Sequence, residues 1–228
     1  MLTVIEGVLD DADAARFRAR LEQADWRDGR RTAGAQAMRL KSNEQLDDDC
    51  PIATELGQFL QARLATHALF TSAALPRRVY PPKFNRYREG GHYGVHVDNA
   101  IMRHPTDGSL LRTDLSATLF LSQASAYDGG ALLIEGEFGA QEVRLDAGDL
   151  VLYPSSSLHQ VTAVTRGTRL AAFFWITSLV RDNAQRALLF DLDQSIQALA
   201  ATADEAVVAE AGRLAAVYHN LVRRWSEV

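Results

Sequence analysis

The chain has 228 residues, with 24 basic and 29 acidic side chains, a formal net charge of −5, 47% hydrophobic residues and 23% charged residues. That mix fits a globular protein with one well-buried core and excludes a disordered, collagen-like or disulfide-stapled chain. The basic pairs Arg30-Arg31, Arg77-Arg78 and Arg223-Arg224 are isolated, so no nucleic-acid groove is expected, since such grooves need clustered Lys and Arg.

Met1 to Glu6 has neither a basic n-region nor a long apolar run, so it does not read as a signal peptide. Asp10 to Trp26 reads as a helix, capped by Asp10 or Asp11, with Ala14, Phe17 and Leu21 on one face. Cys50 is the single cysteine and follows Asp47-Asp48-Asp49; it reads as a structural residue in a reducing compartment. Ile52 to Leu69 repeats the helical pattern through Leu56, Phe59, Leu60 and Leu64, with Pro51 suited to the first turn.

From Pro76 to Thr177 the pattern becomes β, in short alternating runs separated by Gly, Pro and Asp turns. Leu115 to Leu121 is one run. Ala131–Ile134 and Glu142–Leu145 flank a hairpin turn over Gly136 to Gly139. Leu150–Tyr153, Val161–Val164 and Leu170–Ile176 follow. About eight strands at this spacing predict a sandwich or jelly roll. After Val180 two helices are expected, Ala184 to Ala200 and Ala206 to Trp225, with Thr202 or Asp204 as a cap between them. No stretch reaches the roughly 20 apolar residues of a membrane span. A cytoplasmic protein is expected.

The segment Tyr93-Gly94-Val95-His96-Val97-Asp98 carries the chemistry. In a strand, residues two apart share a face, so His96 and Asp98 point the same way. His159 lies 61 residues beyond Asp98 (159 − 98), far enough for a jelly roll to return beside the first strand. Two imidazoles and one carboxylate form the facial triad of non-haem Fe(II) oxygenases, which leaves positions open for a co-substrate and O₂. Arg169 follows His159 across the Arg166-Gly167 turn. Its guanidinium suits two-pronged pairing with a carboxylate, as 2-oxoglutarate requires. His92 has the strand parity of His96, which leaves open whether it faces the pocket; it is not read as a ligand. His67, His104 and His219 read as ordinary surface or core histidines.

These residues carry a resemblance. The chain resembles the PKHD-type hydroxylases, relatives of the prolyl 4-hydroxylase and lysyl hydroxylase catalytic domains. The matching segments are Trp26–Arg30, Lys83–Tyr87, Gly90–Ala100 and Asp114–Ser122. They continue through Ala147–Ser157, His159, Arg169, Arg181-Asp182 and Tyr218–Leu221. The resemblance implies a mainly β fold, a double-stranded β-helix (jelly roll) core with flanking helices and a C-terminal helical appendage. It implies Fe(II) at His96, Asp98 and His159, 2-oxoglutarate at Arg169, and L-ascorbate as reductant. It also implies Tyr87 as a co-substrate contact and Trp175 as an aromatic lining the co-substrate pocket.

The expectation is therefore an Fe(II)- and 2-oxoglutarate-dependent dioxygenase that hydroxylates a small molecule or peptidyl Pro or Lys and releases succinate and CO₂. A non-catalytic iron and 2-oxoglutarate sensor and a cupin-like metal-binding barrel stand as alternatives. The division expected is residues 1–75 as a helical or mixed segment, 76–180 as the dioxygenase core and 181–228 as the appendage. The two C-terminal helices predict a homo-oligomer.

Overall fold

A computed structural model describes residues 1–32, 37–136 and 139–228. The front of the chain supplies β1 (Thr3–Ile5), α1 (Asp11–Glu22), β2 (Arg27–Asp28), β3 (Lys41–Ser42), β4 (Glu44–Gln45), α2 (Pro51–Thr66) and α3 (Ala68–Ala74). The middle opens with β5 (Pro76–Val79), β6 (Lys83–Tyr87), β7 (His92–His96), β8 (Ile101–Arg103), β9 (Leu110–Arg112) and β10 (Leu115–Phe120). It continues with β11 (Tyr127–Gly129), β12 (Leu132–Gly136), β13 (Gly139–Val143), β14 (Leu150–Pro154), β15 (His159–Val161), β16 (Val164–Gly167) and β17 (Arg169–Ser178). Helices α4 (Asn183–Ala200) and α5 (Glu205–Trp225) end it.

Two antiparallel sheets form the core. The larger runs β1-β14-β10-β17-β6-β4-β2, with β5 on β17, and the smaller runs β13-β12-β15-β7-β3. Alternation sorts the side chains of the central strands. Leu115, Ala117 and Leu119 of β10 pack with Phe17, Leu56 and Leu60 of the helices. Phe120 of β10 instead packs toward Leu132 and Val161 of the smaller sheet, and Ser116 and Thr118 face the cavity between the sheets. The layers are thus helix, large sheet, small sheet, as in a jelly roll.

The expected elements differ in instructive places. The first helix stops at Glu22, not Trp26, because the Trp26 indole turns back and donates to the Leu21 carbonyl at 3.0 Å. Asp10 is its cap, accepting from Asp13 N at 2.8 Å. The expected Ile52–Leu69 helix is two helices, broken at His67 (φ −85°, ψ 109°), whose Nδ1 accepts from Phe70 N and starts α3. More strands form than the eight expected. The extra ones are two- to four-residue pieces such as β2, β3 and β4, too short to show alternation. The β12–β13 hairpin pairs Leu132 with Val143, and residues 137 and 138 of its expected turn lie outside the described residues.

The C-terminal helices are capped by Asp182 and Asp204. They build a small core of Leu189, Leu221, Val222 and Trp225 against Leu75 and Val180, and Ser72 of α3 donates to Asp193 of α4 at 2.6 Å. The front of the chain is woven into the sheets rather than laid on them, since β1 pairs with β14 and β3 with β7. No helix of the described residues is long and apolar enough to cross a membrane.

Candidate active site

Strands β15 and β7 are neighbours, with His159 opposite His96. Asp98 follows two residues after His96. The ligating atoms of the three side chains lie within 4.8 Å of one another. His96 Nε2 is 3.9 Å from Asp98 Oδ1, and His159 Nε2 is 3.8 Å from Asp98 Oδ2. His96 Nδ1 lies 2.8 Å from the Gly94 carbonyl and His159 Nδ1 lies 3.0 Å from the Ser157 carbonyl. A carbonyl only accepts, so each Nδ1 donates and each Nε2 lone pair is left facing the cluster. Burial, with His159 adding to it, pushes His96 down to about 4. Its imidazole is therefore neutral near pH 7, the form that ligates a metal. Asp98 is held in turn. Ser116 Oγ donates to its Oδ2 at 2.6 Å, and Ser155 Oγ lies 2.8 Å from Ser116 Oγ.

The register between β7 and β15 shifts. His159 faces His96, but Val161 faces Tyr93, so two steps on β15 match three on β7. The extra residue is a β-bulge, and it reverses the face on which the earlier residues lie. Tyr93 consequently joins His96 on the cavity side and stacks on it, ring centres 3.7 Å apart. His92 goes the other way. It is exposed, with Nδ1 3.0 Å from the Gly90 carbonyl, and does not face the cavity. Parity alone left its orientation open, and the bulge turns it outward. Among the other histidines, His67 joins two helices, His104 sits 3.4 Å from Asp107, and His219 lies on α5.

Arg169 opens β17 and pairs in register with Tyr87 of β6. It is 1% exposed. Its guanidinium lies 5.4 Å over the Tyr87 ring and 5.0 Å over the Phe120 ring. Among the described residues it makes no ion pair, and its Nε has no hydrogen-bond partner. A buried cation in that state calls for an anionic ligand. The cavity that Arg169 and the His96–Asp98–His159 cluster share is about 1340 Å³, large enough for a dicarboxylate and a second molecule. These residues fit Fe(II) and 2-oxoglutarate: a donor set of two imidazoles and a carboxylate, and, within the same cavity, a guanidinium with no ion pair among the described residues.

Residues not singled out from sequence complete the walls. Tyr153 packs edge-on to His159 at 5.1 Å. Burial, then the Asp98 carboxylate, raises its hydroxyl well above the usual range, with a Thr118 hydrogen bond opposing them. Lys41 of β3 also lines the cavity. Trp175 lines the shared cavity. It is six residues along β17 from Arg169, roughly 20 Å at strand rise, and packs edge-on to Tyr80 at 5.3 Å and Phe173 at 5.7 Å. It therefore lines the end of the cavity away from Arg169.

Residues 82–177 match the model of the 2OG-Fe(II) oxygenase superfamily, and residues 183–227 match the PKHD-type hydroxylase C-terminal domain. A PKHD-type hydroxylase of Teredinibacter turnerae is 58% identical over 229 residues, with 100% of both chains covered. The chain belongs to the PKHD-type hydroxylases. A relative so described in Pseudoalteromonas atlantica is 54% identical over 99% of both chains. The crystal structure of a Pseudomonas putida prolyl-4-hydroxylase shares the fold, at 21% identity and TM-score 0.51, over 78% of this chain and 92% of that one. This PKHD-type hydroxylase is an Fe(II)- and 2-oxoglutarate-dependent dioxygenase, using O₂ and a second substrate.

Proposed function

We propose that His96 and His159, through Nε2, and Asp98, through its carboxylate, hold Fe(II), and that Arg169, with Tyr87 beside it, receives the distal carboxylate of 2-oxoglutarate. The observation that carries this reading is the buried guanidinium of Arg169 in one cavity with three ligand-type side chains whose donors lie within 4.8 Å. Bound there, Fe(II) with 2-oxoglutarate supplies O₂ activation, so that a substrate C–H bond is hydroxylated and succinate and CO₂ are released.

The protein's own share is placement. The Gly94 and Ser157 carbonyls fix the imidazole tautomers, Ser116 aims Asp98, and Arg169 neutralises a charge that could not enter unpaired. Leu132 and Val161 keep the wall between them apolar. L-Ascorbate is the reductant in this reading. The substrate is a small molecule or peptidyl Pro or Lys.

The same reading puts the enzyme in the cytoplasm, consistent with the lone Cys50, and gives it no nucleic-acid partner, consistent with a charge of −5. It divides the chain at 75 and 180 into front segment, core and appendage, which agrees with matches at 82–177 and 183–227. Exposed Leu188, Val208 and Val217 on α4 and α5 support a homo-oligomer, which sedimentation velocity of the full chain checks.

Anaerobic Fe(II) titration tests the site. Wild type takes up one equivalent, and His96→Ala and His159→Ala lose it with unchanged circular dichroism. Stoichiometric iron in either variant overturns the ligand assignment.

A further inference from the structure

Lys41 has no part in the steps above. It belongs to a two-residue strand on the edge of β7, with Tyr93 opposite in register. The residue is 8% exposed and lines the cavity. Its Nζ donates to Gln45 Oε1 at 2.8 Å and lies 5.3 Å from the Tyr93 ring centre. An ammonium has three donors, and among the described residues Lys41 makes no ion pair with a carboxylate.

Of the other charges that line the cavity, Arg39 is exposed to solvent and carries no burial cost. Lys83 is paired with Asp48, Asp98 faces two imidazoles, and Arg169 awaits the distal carboxylate of the co-substrate. Lys41 is left over. Burial pushes its ammonium down to about 8; the nearby Lys83 adds to the effect, and the Asp28 and Asp98 carboxylates oppose it without reaching ion-pair distance. A methionine would fill this place without the desolvation cost, so packing does not account for a lysine.

Lys41 and Arg169 belong to opposite walls. Arg169 pairs with Tyr87 in the larger sheet, whereas Lys41 pairs with Tyr93 in the smaller one. Beside Lys41, Leu40, Val95 and Val97 line the same cavity while 41%, 49% and 47% exposed. A cation bordered by an open apolar rim suits a ligand that carries an anionic oxygen group on an apolar body.

We propose that Lys41 pairs with a carboxylate of the molecule that is hydroxylated, whose apolar body lies on Leu40, Val95 and Val97. This rests on the iron and 2-oxoglutarate assignment above.

Calorimetry on the full chain loaded with Fe(II) and 2-oxoglutarate, without O₂, tests it. The probes are N-acetyl-leucine and N-acetyl-leucinamide, which differ by one charge. Wild type should bind the acid at least about tenfold more tightly than the amide. Lys41→Met should bind the two alike, Lys41→Arg should keep the preference, and 2-oxoglutarate affinity should be unchanged in both variants. Equal affinities in wild type, binding of neither probe, or a preference that survives in Lys41→Met would overturn the proposal. So would a loss of 2-oxoglutarate affinity in Lys41→Met, which would move Lys41 to the co-substrate. If wild type fails to bind Fe(II) or 2-oxoglutarate, the underlying site assignment fails instead.

Discussion

Ser116 Oγ donates to Asp98 Oδ2 at 2.6 Å, and this bond ties the larger sheet to the segment that follows β7 in the smaller one. The carboxylate of the cluster is thus aimed by a residue on the opposite wall. Ser116→Ala should weaken Fe(II) affinity about 10- to 100-fold, the range for lost partners of metal ligands. Ser155→Ala should cost less, because Ser155 reaches Asp98 only through Ser116. Competition with a chelator of known affinity measures both. Equal losses would show that the two serines do not act in series.

Arg169→Ala should weaken 2-oxoglutarate binding by roughly two to three decades, since breaking one side of a buried ion pair costs about 3–5 kcal/mol. Arg169→Lys should fall between, because a point charge does not reproduce a two-pronged contact. Iron affinity should hold in both. Titration of 2-oxoglutarate into the anaerobic Fe(II) protein gives the constants, and an unchanged value for Arg169→Ala would remove Arg169 from the site.

Gly130 is a second handle on the same guanidinium. Its φ is +62°, and an added Cβ would meet Val164 Cγ2 at 2.9 Å and Arg169 Cδ at 3.2 Å. Gly130→Ala should destabilise the fold by about 1–2 kcal/mol for the left-handed backbone alone. Displacement of Arg169 should also lower 2-oxoglutarate affinity. Urea unfolding and the same titration separate the two effects, and a variant as stable as wild type contradicts the first.

Lys41→Met should stabilise the metal-free protein. The Lys41 ammonium is held down at about 8, against 10.5 when free, so the fold disfavours its charged form. The penalty is complete below pH 8 and disappears as pH rises past 10.5, where neither state carries the proton. The variant's advantage, on the order of 1–3 kcal/mol at 1.36 kcal/mol per unit, should follow the same window. Loss of the Lys41–Gln45 hydrogen bond takes back about 1 kcal/mol of it. Denaturant midpoints at pH 7 and pH 10 read the sign, and a less stable variant at pH 7 would contradict it.

The His96–Asp98 pair was legible because two residues span too little chain for an error elsewhere to separate them, although β7 ends at His96 and Asp98 lies just past it. Arg169 was legible because it stands ten residues beyond His159 (169 − 159), although the chain crosses from the smaller sheet to the larger one between them rather than turning in a hairpin. Two caps were legible too, since Asp10 and Asp204 stand at helix starts, whereas Asp182 was not singled out as one. His92 and Tyr93 were not legible, because nothing local marks the bulge that exchanges their faces. Ser116 and Thr118 hid inside an apolar run, where small polar residues look like filler until the facing wall is known. Lys41 was invisible for a different reason: a two-residue strand has no period, and its neighbour Tyr93 lies 52 positions away (93 − 41).

The short β3 strand separates two kinds of change that this protein can undergo. The cluster and Arg169 come from a continuous stretch between residues 96 and 169, locked by paired central strands. One wall of the same chamber is hung on its edge by two register pairs, Lys41 to Tyr93 and Ser42 to His92. Mutations near residue 41 can therefore reshape what the chamber admits without moving the groups that activate oxygen. Selection for new molecules would fall first on the front of the chain, and relatives that share the reactive core can diverge there in diet while keeping one chemistry.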